Sequence, residues 1–322
     1  KLPATKGEIF EAYRYQNMLS GLQTQERNIY NNLFNTFITR PIDIGLTATY
    51  DFLKHPFNPL ARDMSLVDVP RYFKGVFTSV PNALLAAKEA FKRGFSANKL
   101  DFARGENTID ILRKQSVPKG FTMVPRFMEA QDRFFSTMIA AGEKARLLAR
   151  GANESIANSQ ATKLAEKYLL REKLGSGEGP ILARAIDALG QFALKGRKLP
   201  VIGKPYSWFV PFITTPINAA KIMVEHSPLG VIGGQRTSEQ LAKATAGTLI
   251  TGIGGVLAMQ GKTTWTAPTN KLAKDEFYAS GRKPFSIQIG DKWIPMWYFG
   301  PYALALGVPA AFKQTYGDSN KA

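Results

Sequence analysis

Residues 124–150 read VPRFMEAQDRFFSTMIAAGEKARLLAR and contain the strongest helical pattern of the chain. Apolar side chains recur there at steps of three and four residues, which is the spacing of one helix face. That face comprises Phe127, Ala130 or Gln131, Phe134, Met138, Ala141, Ala145 and Leu148. The charged residues fall elsewhere, at Glu129, Asp132, Arg133, Glu143, Lys144 and Arg146. The pattern predicts a long helix that packs against other helices along its apolar stripe and holds no cofactor.

Further helices are predicted on both sides of this one. Thr24 is placed to cap a helix that passes through Asn28, Asn32 and Phe37 and stops before Pro41, because a proline disfavours helix at the residue before it. A second helix is predicted from Pro70 to Arg93, with a kink at Pro81. The remaining helical predictions are a short amphipathic segment at 5–19 and helices at 108–114, 155–172 and 181–195.

The run KLGSGEGP at 173–180 separates two helical regions, at 1–172 and 181–322. Three glycines and a proline within eight residues are typical of a flexible joint. A length of 322 residues is sufficient for two domains. The chain starts without methionine and ends in KQTYGDSNKA, so we expect it to be a piece of a longer polypeptide.

Residues 284–298 interrupt the helical pattern. Phe285, Ile287 and Ile289 alternate with polar residues, and Gly290-Asp291 is a two-residue turn signal. Pro295 limits the returning strand to the edge of a sheet. A final helix of about a dozen residues is expected after Gly300-Pro301. The sequence as a whole therefore predicts a mainly α fold, an elongated multi-helix assembly with one β-hairpin near residues 284–298.

Residues 244–261 are uncharged over their whole length, between Lys243 and Lys262. A stretch of this length raises the possibility of a membrane helix. More than half of it is Gly, Ala and Thr, which favours a buried and tightly packed helix, although a membrane-active role stays open. Gly247, Thr251 and Gly255 are spaced by four, and small residues at that interval let helices approach closely.

The chain is strongly basic, with 42 Lys and Arg against 25 Asp and Glu and a net charge of +17. Such a charge suits a polyanion such as nucleic acid or anionic lipid, and equally a well-solvated surface. The cations are scattered, which fits contact with a phosphate backbone better than base reading. The candidate polyanion contacts are Lys88, Lys92, Arg93, Arg113, Lys114, Lys144, Arg146, Arg150, Lys195, Arg197 and Lys198.

The chain lacks, or has very few of, the residues that several kinds of site require. The chain has no cysteine, so disulfides, thiol nucleophiles and cysteine metal sites are absent. With only His55 and His226, neither beside an evident partner, a multi-histidine metal site is impossible. Gly261-Lys262-Thr263 is not a phosphate loop, because Val256 stands where that motif needs its first glycine. We expect no catalytic, cofactor or metal site in this chain.

Four blocks of sequence together resemble a known family. They are Asn17-Met-Leu-Ser-Gly-Leu-Gln-Thr24-Gln-Glu-Arg-Asn28 with Asn32, Arg126-Phe-Met-Glu-Ala-Gln-Asp132-Arg-Phe-Phe135, Phe209-Val-Pro-Phe-Ile-Thr-Thr215-Pro216-Ile-Asn218 with Ser227-Pro228-Leu-Gly230, and Lys283-Pro-Phe-Ser-Ile-Gln-Ile-Gly290-Asp-Lys-Trp293 with Gly300-Pro301 and Leu306-Gly307. In this order they are similar to the internal virion (ejection) proteins of short-tailed bacteriophages and the related large polyvalent phage proteins, over most of residues 15–312.

The resemblance implies a non-catalytic structural segment that helps to deliver a genome through the host cell envelope. It also implies a place in the virion interior or tail lumen, and in the host envelope after ejection. The partners would be other virion proteins of the portal, core or tail, further copies of the chain, DNA bound non-specifically and a host membrane. The alternative is a nucleic-acid-binding or scaffold module of a larger phage effector or virion polymerase.

Overall fold

The computed structural model describes residues 21–93, 123–175, 177–197, 213–234 and 236–317, together with Tyr13 and Asn17. This part of the chain is mainly helical and carries one small antiparallel sheet, which confirms the predicted fold class. The helical predictions at 5–19 and 108–114 lie outside the described residues.

The helices of the described residues are numbered in chain order. They are α1 (Leu22–Phe34), α2 (Arg40–Lys54), α3 (Asp68–Thr78), α4 (Val80–Arg93), α5 (Met123–Ala149), α6 (Glu154–Tyr168), α7 (Ile181–Arg197), α8 (Thr214–Glu225), α9 (Ser238–Met259), α10 (Lys271–Ala279) and α11 (Ala303–Phe312). The strands are β1 (Thr263–Thr264), β2 (Ser286–Ile289) and β3 (Lys292–Pro295).

The chain divides into two compact units built from alternating segments. Within the described residues, the first unit holds 21–36, 67–93, 123–175, 177, 185–197 and 213–219, and the second holds 37–66, 178–184, 220–234 and 236–317. This division differs from the contiguous regions 1–172 and 181–322 that the sequence predicts, because residues 37–66 pack with the C-terminal half. The segment 173–180 contains one of the changes from the first unit to the second, at Glu178.

The first unit is organised around α5, which lies within one residue of the predicted helix at both ends. Helices α3, α4 and α6 pack on it. Gly75 on α3 and Gly142 on α5 permit the closest approach, since a Cβ on Gly75 would lie 2.4 Å from the Ala141 carbonyl oxygen. On the α6 side, Phe135 and Ile139 form a core with Ala165 and Tyr168. The long helix is therefore covered on several sides.

The predicted helix end before Pro41 is wrong. The chain stays helical through the proline, with a π turn at Asn35–Thr39 joining α1 to α2. A proline lacks an N–H and crowds the carbonyl four residues earlier, and a π turn adds a residue that relieves this conflict. Helix α1 also begins earlier than Thr24, with Gly21 at its N-cap. By contrast, the kink predicted at Pro81 is a real break at Ser79, between α3 and α4.

The second unit is organised around α9, which packs against α2 and α11. Helix α9 begins at Ser238, six residues before the predicted start, so its first turns carry charge. The hydrophobic core beside α9 is formed by Phe285, Ile287, Met296, Ala303 and Leu306. This core lies where the sheet meets α11, beside the C-terminal half of α9.

The predicted hairpin is present as β2 and β3, which pair antiparallel with Ile287 opposite Ile294. Gly290 adopts a φ of 58°, the left-handed conformation that a tight hairpin turn requires. Pro295 ends β3, which is an edge strand in the order β1-β2-β3. The sequence pattern missed β1, because two residues are too few for an alternation to register.

Candidate functional site

Charged side chains occupy the buried face of α5, contrary to the sequence prediction. Asp132, Glu143 and Arg146 are buried beside Phe135 and Ile139. Of the predicted apolar stripe, Met138 is buried, whereas Phe127 and Leu148 are exposed. The buried face of α5 can hold charged side chains because each of them lies near a side chain of opposite charge.

Asp68, at the start of α3, is the centre of one such network. Its carboxylate is fully buried and lies 3.0 Å from an Arg71 nitrogen, 3.1 Å from an Arg150 nitrogen and 4.0 Å from an Arg146 nitrogen. Arg146 also forms a two-nitrogen contact with Glu143. Two of the predicted polyanion contacts, Arg146 and Arg150, are thus engaged by carboxylates of the protein itself.

The other predicted polyanion contacts divide into two groups. Lys88, Lys92 and Lys195 are exposed, and Lys144 is half-exposed and donates to Glu154 over 2.9 Å. The hydrogen bond and charge of Lys144 lower the pKa of Glu154. The remaining predicted contacts lie outside the described side chains: Arg93, Arg113, Lys114, Arg197 and Lys198. Three described cations therefore keep the solvent exposure that a polyanion contact needs.

A second network in the first unit joins α5 to the chain that follows α6. Arg171 lies 3.0 Å from Glu129 and 3.9 Å from Asp132. On the same helix, Gln131 accepts from Asn28 at 2.9 Å and donates to Gln25 at 3.1 Å. Asn28 therefore forms a hydrogen bond between α1 and α5. These contacts tie α1 and residue 171 to α5.

The second unit holds a buried pair that the sequence did not reveal. His226, at the end of α8, places Nε2 3.1 Å from Asp43 Oδ2 on α2, and its Nδ1 lies 2.9 Å from the Ile222 carbonyl oxygen. The fold thus gives His226 a partner that was not evident in the sequence. The two residues are 183 positions apart in the chain, and no local pattern connects them.

Lys243 on α9 is buried beside this pair and is surrounded by carboxylates. Its ammonium lies 2.9 Å from Glu239 and 3.5 Å from Glu225, and Arg40 reaches Glu239 at 3.5 Å. Burial alone would lower the pKa of Lys243, but Glu239, Glu225 and Asp43 together raise it above its ordinary value. The lysine is therefore a fixed positive charge in the folded protein.

Tyr302 closes the same network from the segment before α11. Its ring stands edge-on to His226, with 5.4 Å between ring centroids. Burial raises the pKa of the Tyr302 phenol, and the nearby charge of Asp43 raises it further. Chemically, the cluster holds charges of both signs and a neutral phenol in fixed positions. It joins α2, α8, α9 and the start of α11 within one unit.

Of the residues predicted to allow close helix approach, Gly247, Thr251 and Gly255, the two glycines differ. A Cβ on Gly247 would lie 2.1 Å from the His226 carbonyl oxygen, whereas one on Gly255 would meet nothing within 4 Å. The second close approach is at Gly254, where a Cβ would lie 2.7 Å from the Leu306 carbonyl oxygen. Residues seven apart share a helix face, so the packing interval is seven rather than four. Thr251 donates to the Gly247 carbonyl within the helix.

Helix α9 meets the length and composition of a membrane span, with a mean hydropathy of 1.3 in its most apolar window. In this fold, 39% of that window is buried against the rest of the protein. Partly buried core helices of soluble proteins pass the same test.

Residues from the four motif blocks have identifiable structural contacts. Asn218 is buried and donates to the carbonyl oxygens of Leu170 and Glu172, at 3.2 and 2.7 Å. Gly230 allows the chain to pass close to the Glu225 carbonyl oxygen, because a Cβ at position 230 would lie only 2.4 Å from that oxygen. Gly307 makes room for Phe285. Each of these residues determines local packing or chain direction.

Within the described ranges, no group of three His, Cys, Asp or Glu side chains is arranged to hold a metal ion. No family model, curated protein or solved structure matches the chain.

Proposed function

We propose that this chain is a structural, non-catalytic segment of an internal virion (ejection) protein of a short-tailed bacteriophage. In that role it helps to carry a genome through the host cell envelope. Its partners are portal, core or tail proteins, further copies of the chain and DNA. It resides in the virion interior or tail lumen and reaches the host envelope after ejection.

The succession of four motif blocks carries this proposal, and the contacts of their residues support it. Asn28 joins α1 to α5, Asn218 holds the chain after α6, and Gly290 turns the hairpin. These residues lie far apart along the chain and serve local packing. A set of motifs with scaffold roles is what a structural segment requires.

The buried networks give further support. Asp68 gathers three arginines in the first unit, and Lys243 lies between two glutamates in the second. Replacement of such pairs by apolar residues is often neutral or stabilising, so they specify a particular helix arrangement more than they add stability. A protein that must assemble in one geometry benefits from that specificity.

Mass spectrometry of purified virions tests the proposal. The tryptic peptide GANESIANSQATK, residues 151–163, is expected in virions of the phage that encodes the chain. Shortly after infection the same peptide is expected in the host envelope fraction. Its presence in infected cytoplasm and absence from virions would contradict the proposal.

A second candidate function is a nucleic-acid-binding module of a larger phage effector or virion polymerase. The exposed Lys88, Lys92 and Lys195, in a chain of net charge +17, favour this candidate. A module that binds DNA by phosphate contacts loses affinity linearly in log salt. A channel scaffold without such contacts binds DNA weakly and shows no such slope.

A further inference from the structure

The loop after α2 presents two large apolar side chains to solvent. Phe57 is 98% exposed and Leu60 is 97% exposed. Phe52 and Leu53, in the last turn of α2, are also exposed. Isolated apolar residues on a surface are ordinary, but a phenylalanine and a leucine without any covering at the tip of one loop indicate an interaction site.

The loop is held rigidly in this shape. The Arg62 guanidinium donates to the carbonyl oxygens of His55 and Pro56, at 2.9 and 2.7 Å, and lies 4.8 Å from the centre of the Phe52 ring. At the end of the loop, the Met64 amide donates to the buried carboxylate of Asp51 at 2.8 Å. Pro56 and Pro59 restrict the backbone further. Little conformational freedom is left to lose when the tip binds.

The backbone of the tip makes its hydrogen bonds within the loop. The amides of Asn58, Ala61 and Arg62 donate to the carbonyl oxygens of residues 55, 58 and 59. The two prolines have no N–H, and the carbonyl of Pro56 is taken by Arg62. These three amides and the Pro56 carbonyl therefore remain paired when the tip enters an apolar medium.

The charges near the tip and of the whole chain favour an anionic medium. The cations beside the tip are Arg62 and the exposed Lys54, which donates to Ser238 Oγ at 3.1 Å; of the two flanking carboxylates, Asp51 is buried and Asp63 is exposed. Lys and Arg beside exposed apolar side chains suit the headgroup region of an anionic bilayer, where the apolar groups enter the acyl boundary. The net charge of +17 adds attraction to the same surface.

We propose that the loop at residues 52–62 inserts Phe57 and Leu60 into the interface of an anionic lipid bilayer. Arg62 holds the loop in shape, and Lys54 contacts the lipid phosphates. This site is separate from α9, the helix with the composition of a membrane span. The inference rests on the loop alone, and it holds whether or not the chain belongs to a virion.

Vesicle co-sedimentation of the full 322-residue chain tests the site. Vesicles of phosphatidylcholine with phosphatidylglycerol are the probe, at near-physiological salt. The double variant Phe57→Ser, Leu60→Ser is expected to partition about tenfold or more weakly than the wild type, because two large apolar side chains no longer enter the interface. The double variant Leu189→Ser, Phe192→Ser, at two exposed positions on α7, is the matched control and is expected to bind like the wild type.

A fluorescent probe distinguishes insertion from charge attraction. The chain has no cysteine, so Phe57→Cys and Leu272→Cys each accept a single environment-sensitive dye at an exposed position. We expect a blue shift with anionic vesicles at residue 57 alone. Binding that is unchanged in the double variant, a wild type that does not bind vesicles, or equal shifts at both dye positions would each overturn the inference. The result leaves the virion proposal intact, because that depends on where the chain is found.

Discussion

At the scale of single residues, the defining feature is charge inside the helix packing. Helical spacing correctly located α5, but it placed six charged residues of that helix, Asp132, Glu143 and Arg146 among them, off the packing face. Asp132, Glu143 and Arg146 are buried instead, each near opposite charge. A buried ion pair is close to neutral in net energy when complete, yet the loss of one member leaves an uncompensated charge and is costly. Individual members of these networks are therefore sensitive positions.

Asp68 is the clearest case, since three arginine side chains approach one buried carboxylate. We expect Asp68→Asn to lower the free energy of unfolding by about 3 kcal/mol, because the arginines lose the charge that compensates them. The control is Glu154→Gln, which removes the exposed partner of Lys144. It should leave the urea midpoint unchanged. Equal shifts in the two variants would show that burial of the Asp68 network does not matter for stability.

The second prediction concerns alkaline pH. The folded protein raises the pKa of Lys243 and of Tyr302, so above their ordinary values near 10 the folded state retains protons that the unfolded state releases. Stability is therefore fully present at neutral pH and falls as pH rises past about 10, by up to about 1.4 kcal/mol per pH unit for each group. Tyr302→Phe removes one of these groups. In urea unfolding between pH 8 and 11, its stability should fall less steeply than that of the wild type. Parallel curves would contradict this account of Tyr302.

At the scale of elements, two glycines of α9 set how close its neighbours come. Gly247 faces the chain at His226, and Gly254 faces the backbone at Leu306. Gly255 is one residue further along and is open. Glycine therefore permits close packing at position 254, whereas at position 255 it only lowers the helix propensity.

This difference gives a matched pair of substitutions. Gly254→Ala places a Cβ 2.7 Å from a backbone oxygen, and we expect it to destabilise the protein by about 1–3 kcal/mol through overpacking. Gly255→Ala should stabilise by about 0.5–1 kcal/mol, since alanine favours helix and meets no obstacle. Urea unfolding monitored by circular dichroism measures both. The same sign of effect in both variants would refute this assignment of the helix face.

The sequence predicted elements better than it predicted contacts. The periodicity over 124–150 and the Gly290-Asp291 turn are local signals, and the helix and hairpin they predict are present. The continuation through Pro41 depends on a π turn, which propensity does not encode. The Asp43–His226 pair could not be found because it joins residues that only the fold brings together. The Gly254 contact was missed because a spacing of four from Gly247 selects Thr251 and Gly255, whereas the face that packs repeats at seven and selects Gly254.

At the scale of the whole molecule, the excess of positive charge is spread unevenly between interior and surface. Arg146 and Arg171 are buried in ion pairs with the protein's own carboxylates, and so is Lys243. Lys88, Lys92 and Lys195 are exposed to solvent. A polyanion is attracted by the net charge of the entire chain, but it forms contacts only with cations it can reach.

Measurements of DNA binding distinguish attraction by the net charge from direct contacts with exposed lysines. We expect the triple variant Lys88→Gln, Lys92→Gln, Lys195→Gln to reduce the slope of log affinity against log salt by about 2–3, since each phosphate contact contributes about 0.9. The control triple Lys271→Gln, Lys274→Gln, Lys283→Gln removes the same charge from three other exposed lysines. It should weaken binding only through the net charge and leave the slope nearly unchanged. Fluorescence anisotropy with a labelled duplex, from 50 to about 200 mM salt, measures both slopes. Identical slopes for the two triple variants would show that the chain attracts DNA by overall charge without contacts at these lysines.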